Sequence, residues 1–412
     1  MALAALISAY QLANDETEGL RATLPLAGRT LVEHQARLAG YAGAEQILIL
    51  AERIPVALAQ AVERLRRSGL KVDITRDVAD AADRIHPEEK LLVIGDGCLA
   101  SPPVVERMAE AQGPSLLTVP DEPEHAIFER IDATARWAGL MMVDGAFLRD
   151  TAAMLGDWDM ESTLLRRAVQ ANAQRMDVTT GNGRGRTGRI PLLVDGVAHL
   201  EGFDRLMLAG ARPRGRDWTW RHIFPAIENL VAAPLLRRAV DPVWFAVGSV
   251  TAAVIAGIFF GVDWRLAGQA ALMVSGPIAA VAERLAGARL SPLRWARAFL
   301  IARGIAASGA LVVLCYGIAE EAGWGAWLIG ATILLAMAAL IGEQRILKRL
   351  PGGLAPHWVA SLDGLIWAMT PFALIGQWFA GIAVLALYAI ASFAVVQREV
   401  ASRVAVRTAG PA

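Results

Sequence analysis

Hydrophobic and polar positions follow two different rhythms along this chain, and the change falls near residue 240. Before it, short apolar runs alternate with amphipathic stretches. The runs at 2–8, 46–50, 72–75, 90–94 and 115–119 are short and apolar between turn-forming residues, which predicts β-strands. The stretches 31–41, 55–67, 79–85 and 103–111 repeat apolar residues every three or four positions, as at Leu58, Val62 and Leu65, which predicts helices. Strands alternating with helices predict βαβ units and a mostly parallel sheet. Ligands in such sheets sit at the carboxyl ends of the strands, here residues 9–18 and 95–97.

After residue 240 the rhythm gives way to long apolar runs at 243–262, 266–282, 298–318, 325–342, 358–377 and 379–397. Each approaches the length a helix needs to cross a bilayer, so six transmembrane helices are expected. A basic, aromatic link at 212–224 leads into a predicted helix at 225–238, the pattern of a segment lying at a membrane surface. The expected organisation is a soluble α/β domain over 1–210 and a basic juxtamembrane link over 211–240. An all-α membrane domain over 241–400 and a tail over 401–412 complete it.

Charge placement adds an orientation. Arg237 and Arg238 precede the first run, and Arg284, Arg289, Arg294 and Arg297 lie between the second and third. Arg345, Lys348 and Arg349 lie between the fourth and fifth, and Arg398, Arg403 and Arg407 follow or end the sixth. All fall on one side, which predicts that both termini are cytoplasmic and that the chain resides in the cytoplasmic (inner) membrane. The acidic turn soon after the first apolar residues does not fit a signal peptide. Arg303, inside the third run, is either an intramembrane functional residue or a side chain snorkelling to the interface.

Composition changes less. Forty basic and forty acidic residues cancel, so no nucleic-acid footprint is visible. Cys98 and Cys315 lie in different halves, which argues against a disulfide or a cysteine metal site. The Gly/Arg-rich run 179–188 reads as a flexible connection or as a phosphate-binding loop using Arg184 or Arg186.

Arg21-Ala-Thr-Leu-Pro-Leu-Ala-Gly-Arg-Thr-Leu-Val-Glu-His-Gln35, followed by the strand at 46–50, resembles the start of a sugar-phosphate nucleotidyltransferase. The resemblance implies a nucleotidyltransferase-like fold, with Arg21 where that family has a phosphate-binding lysine. Ile94-Gly95-Asp96-Gly97 resembles the segment whose aspartate helps hold Mg²⁺, making Asp96 the candidate metal and catalytic acid. Residues 158–168 are similar to the family's later helical region. The family's Gly-rich phosphate loop is replaced by Ser8-Ala-Tyr-Gln-Leu-Ala-Asn-Asp-Glu-Thr-Glu-Gly19, which has one glycine and three acids. Residues 198–204 match poorly the place where a second metal-binding acid is expected.

In layout, the whole chain resembles the bifunctional inositol-1-phosphate cytidylyltransferase / CDP-alcohol phosphotransferase fusion family. That resemblance implies Mg²⁺ and CTP or a CDP-alcohol as cofactor and substrates if the chain is active, a homodimer or a dimer with an active homologue, and a role in phospholipid or inositol-phosphate head-group synthesis. The membrane motif of that family, Asp-Gly-x2-Ala-Arg-x8-Gly-x3-Asp-x3-Asp, places its arginine on Arg284. Its acids then fall on Ala279, Arg297 and Ile301, and Glu283 is the one acid between Arg265 and Arg303. The expectation is a catalytically impaired membrane protein whose Arg284, Arg289 and Arg294 hold phosphate, an anionic lipid or a phosphorylated head group. The alternative is an active transferase using Asp96, or Glu283 with Glu343 and Asp363. A transporter reading has only Gln269, Ser275, Ser308 and Thr332 besides Arg303 to support it.

Overall fold

A computed structural model of the chain describes residues 2–14, 19–178, 190–200, 217–238, 240–291, 295–350 and 355–408, together with residues 203, 207 and 208. The run 179–188, Glu201, Asp204 and Arg294 lie outside the described residues. The chain forms two compact units: Met1–Leu206 with Arg237–Ala239 and Arg289–Ser291, and the remainder from Met207 onward.

The first unit is an α/β domain. Its strands in chain order are β1 (Leu3–Ser8), β2 (Pro25–Leu26), β3 (Arg29–Thr30), β4 (Gln46–Leu50), β5 (Val72–Thr75) and β6 (Lys90–Ile94). They continue with β7 (Cys98–Leu99), β8 (Ser115–Pro120), β9 (Glu129–Arg130), β10 (Ala135–Asp144), β11 (Gln174–Asp177) and β12 (Leu192–Leu193). The main sheet runs β11-β8-β10-β6-β1-β4-β5, with β9 on β10. β1 pairs in parallel with β4 and β6, so Ser8, Leu50 and Ile94 end their strands side by side. Helices α1 (Leu31–Tyr41), α2 (Val56–Arg67), α3 (Val78–Arg84), α4 (Pro102–Ala109), α5 (Gly145–Ala152) and α6 (Met160–Gln170) connect the strands.

Local sequence explains most of these elements. Thr30 and Glu33 form a capping box at the start of α1, and Arg64 of α2 reaches Glu33 at 2.8 Å. Asp77, Asp144 and Asp159 cap α3, α5 and α6 through their side chains. The apolar runs of the central strands are buried on both faces, as parallel strands covered by helices require. The expected strands and helices of this domain appear within a residue or two of their predicted ends.

β10 is the longest element of this domain that the pattern did not reveal; β11, α5 and the two-residue strands were also not predicted. β10 lies antiparallel between β6 and β8, and its register shifts between Trp137 and Met141. Gly139, at φ +81°, sits inside the shift. β10 is buried on both faces from Trp137 to Val143, so it carries no polar–apolar alternation, and Gly139 interrupts its apolar run.

The second unit is helical. Its helices are α7 (Phe224–Arg237), α8 (Pro242–Gly261), α9 (Arg265–Ala288), α10 (Ala296–Ala322), α11 (Gly325–Leu347), α12 (Leu362–Leu374) and α13 (Trp378–Thr408). Five of them, α8 to α11 and α13, are long and apolar enough to cross a membrane. Asp241 caps α8 and Pro242 occupies its first turn.

Two expectations need correction here. The fifth apolar run does not form a full-length span. α12 has 13 residues, about 20 Å of helix against the roughly 30 Å of a bilayer core. The preceding backbone is held in a non-helical path: Ala360 donates to the Ser392 hydroxyl at 2.9 Å, and Tyr388 donates to the Trp358 carbonyl at 2.6 Å. The second run, expected over 266–282, extends further as the 24-residue α9. Glu283 and Arg284, expected in a loop, are therefore helical.

Candidate functional site

The carboxyl ends of β1 and β6 lie next to one another, and both chains turn there. After β1, the amides of Tyr10 and Gln11 point at Asp96 and donate to its Oδ2 at 2.9 and 2.7 Å. After β6, Gly97 takes φ +78°, and a Cβ there would meet the Val194 carbonyl oxygen at 2.4 Å. Only glycine fits, and that tight turn sets the Asp96 carboxylate beneath the β1 loop. Gln35 of α1, itself buried, fixes the same turn by donating to the Gly95 and Cys98 carbonyls at 3.2 and 3.0 Å.

Helix α6 brings more acids to this place. Glu161 Oε1 accepts from the Asp96 amide at 2.8 Å, while Asp159 caps the helix and accepts from the Tyr10 hydroxyl at 3.1 Å. Arg21 closes the other side. Its guanidinium donates to Gln11 Oε1 at 2.6 Å and to the Leu12 carbonyl at 3.1 Å. Asp195 joins the rim because Val194 pairs with Gly97, the Asp195 carbonyl accepts from the Asn14 amide at 2.7 Å, and its Oδ1 lies 2.6 Å from His199 Nδ1.

Electrostatically the cluster is out of balance. Asp96 is 3% exposed and Glu161 is 8% exposed. Burial pushes the Asp96 carboxyl up to about 6, against the pull of the Gln11 and Tyr10 amides. Burial pushes Glu161 up to about 7, and the nearby Asp96 and Asp159 charges add to it. The Tyr10 phenol is raised by burial and then by the Glu161 and Asp159 charges. Asp96 Oδ1 is fully buried and makes no hydrogen bond of good geometry among the described residues. A carboxylate oxygen without a good hydrogen bond is of the donor type Mg²⁺ uses, since Mg²⁺ commonly takes one or two carboxylates and completes its shell with water and phosphate, and Oδ1 itself is covered by protein in this structure. Among the described residues no group of three or more His, Cys, Asp or Glu is placed to hold a metal on its own.

No protein-family model matches the chain, and no curated protein matches it. The assignment of roles therefore rests on side-chain geometry.

The other candidate residues are placed differently. Arg284 is 4% exposed and gives its donors to protein: Nη1 to Glu228 at 2.8 Å, both Nη atoms to Asn229 at 3.1 Å, and Nε to the Leu208 carbonyl at 3.1 Å. Arg289 lies just past α9 and is buried. Glu283 lines a cavity of about 20 Å³ with Ser249 and Arg303, space for one water. Glu343 is half-buried near the end of α11.

Arg303 does not snorkel. It is 3% exposed and forms a buried ion pair with Asp363, also donating to Ser275 at 3.1 Å. Trp220 donates its indole N–H to the same carboxylate at 3.1 Å. Asp363 is thus the counter-charge of Arg303 at the start of α12. Sequence reasoning missed this pair, as it missed Tyr10, Asp159, Glu161 and Asp195 around Asp96. The usable signal was the coincidence of one arginine and one aspartate within otherwise apolar runs, because such charges are stable in a bilayer only when paired.

Proposed function

We propose that this chain is a multi-pass protein of the cytoplasmic membrane that resembles a nucleotidyltransferase joined to a CDP-alcohol phosphotransferase, with both termini cytoplasmic. Its α/β domain binds a nucleotide or phosphorylated head group at the Asp96 cluster, while its helical unit serves membrane anchorage and partnering. The chain works beside phospholipid or inositol-phosphate head-group synthesis, as a homodimer or with an active homologue. One observation carries the reading. The buried arginines of the helical unit, Arg284 and Arg303, are matched by Glu228 and Asp363, whereas Asp96 Oδ1 makes no hydrogen bond of good geometry among the described residues. In the helical unit Glu228 and Asp363 hold protein cations, and no step of phosphotransfer is assigned to them. At the α/β cluster Asp96 would hold Mg²⁺, which supplies charge neutralisation for phosphate, and Arg21 would bind the same phosphate.

The test uses purified full-length chain with CTP, Mg²⁺ and sugar or inositol phosphates, followed by a CDP-alcohol with an acceptor alcohol. Binding of Mg²⁺-CTP without consumption of the CDP-alcohol is the expected result. Consumption of CDP-alcohol would contradict the anchoring role of the helical unit.

A second reading is active nucleotidyl transfer in the α/β domain. The grouping of Asp96 and Glu161 with Asp159 at the strand ends favours it, because acids in that place suit a metal that neutralises a triphosphate. CTP turnover that Asp96→Ala abolishes would select this reading over the impaired one.

A further inference from the structure

The two ends of the helical unit differ in what their cations do. α10 and α11 form a hairpin closed at Gly323, whose φ is +84°. α11 and α13 begin together, since a Cβ on Gly325 would come within 4.0 Å of the Phe379 ring. Beyond the end of α11, Ala360 bonds to Ser392, well along α13. α11 and α13 therefore run in the same direction, and their carboxyl ends share one end of the bundle with the start of α10. At the opposite end Arg265 is neutralised by Asp263 at 2.7 Å and Glu321 at 2.5 Å.

The shared end has no such balance. Arg297, Arg345, Lys348, Arg349 and Arg398 are exposed there, and none makes an ion pair among the described residues. Arg403 is the basic side chain of α13 that does, with Glu399 at 2.6 Å. Exposed apolar side chains lie beside these cations: Ile346 is 47% exposed and Val395 is 37% exposed. Cations next to exposed apolar surface at helix ends match a layer where acyl chains meet charged head groups.

We propose that this end of the bundle binds anionic phospholipid head groups, with Arg345, Lys348 and Arg349 as the principal contact. The inference rests on the membrane-spanning reading of the helical unit and extends it to the lipid that the unit selects. The apolar neighbours favour a lipid over free phosphate, because they have no role in holding a small soluble anion.

The experiment places the full chain in nanodiscs of phosphatidylcholine and phosphatidylglycerol and counts retained lipids by native mass spectrometry. Phosphatidylglycerol should be enriched in the wild type, and Arg345→Gln/Lys348→Gln/Arg349→Gln should reduce that enrichment by roughly tenfold. In the wild type the enrichment should also fall as salt is raised, a readout that needs no variant. Equal enrichment in wild type and variant would overturn the proposal, as would enrichment insensitive to salt or displaced by millimolar inorganic phosphate. Extraction by alkaline carbonate would sink the membrane-spanning reading itself, separately from lipid choice.

Discussion

Two sets of charges in this molecule, each built around buried groups, follow opposite principles. In the helical unit Arg303 meets Asp363, Ser275 and Trp220, and Arg284 meets Glu228, Asn229 and a carbonyl. In the α/β unit Asp96, Glu161 and Asp159 crowd together, with Arg21 bound to neutral groups of the β1 loop. The first set is closed: removing either partner strands the other, and four of the five Arg284 N–H donors are given to protein groups. The second is open: burial raises its acids and leaves one carboxylate oxygen without a good bond. Buried charge by itself therefore does not mark a site. Charge that the protein leaves uncompensated does.

The largest test of that contrast is Arg303→Ala. It strands Asp363 in the bundle and should cost about 3–5 kcal/mol, read as a lowered thermal midpoint in detergent. Replacing both partners, Arg303→Met with Asp363→Leu, should recover most of the loss if the pair is structural. Failure to recover would assign the pair a further role.

Glu161→Gln tests the open set. The folded-state values of Asp96 and Glu161, about 6 and about 7, lie above their ordinary 3.8 and 4.5. Both acids thus contribute stability that is full below about pH 4 and is lost as pH rises through 6 to 7. The wild-type α/β domain should lose stability from pH 5 to pH 8, and Glu161→Gln should remove roughly 3 kcal/mol of that dependence. A pH profile unchanged by the substitution would contradict the desolvated cluster. Gly97→Ala should cost about 2 kcal/mol, since φ +78° and the nearby Val194 carbonyl both oppose a Cβ. Its further mark would be weakened nucleotide binding through displacement of Asp96. Smallest is Arg67→Ala, which breaks an exposed pair with Glu63 and should change stability by about 0.5 kcal/mol or less.

Much of the architecture was legible in sequence because short buried strands write themselves as apolar runs, as at 46–50 and 90–94. β10 was not, because it is buried on both faces from Trp137 to Val143 and Gly139 interrupts its apolar run. Asp96 was legible from its glycine neighbours at a strand end. Its surroundings were not: Glu161 lies 65 residues away and Tyr10 lies 86 residues away, and only the sheet order brings them together. The short α12 was hidden for a related reason. Its apolar composition matches a full span, but hydrogen bonds to Ser392 and from Tyr388 shape the backbone before it.

Equilibrium binding of Mg²⁺-CTP to the full chain, with and without Asp96→Asn, tests the central claim most directly. Asparagine can still accept from the Tyr10 and Gln11 amides, so the fold of the cluster is kept while the charge is removed. The account predicts Mg²⁺-dependent binding by the wild type that weakens at least about tenfold in Asp96→Asn, the loss of one charged contact. Equal binding by the two proteins, or binding indifferent to Mg²⁺, would contradict it.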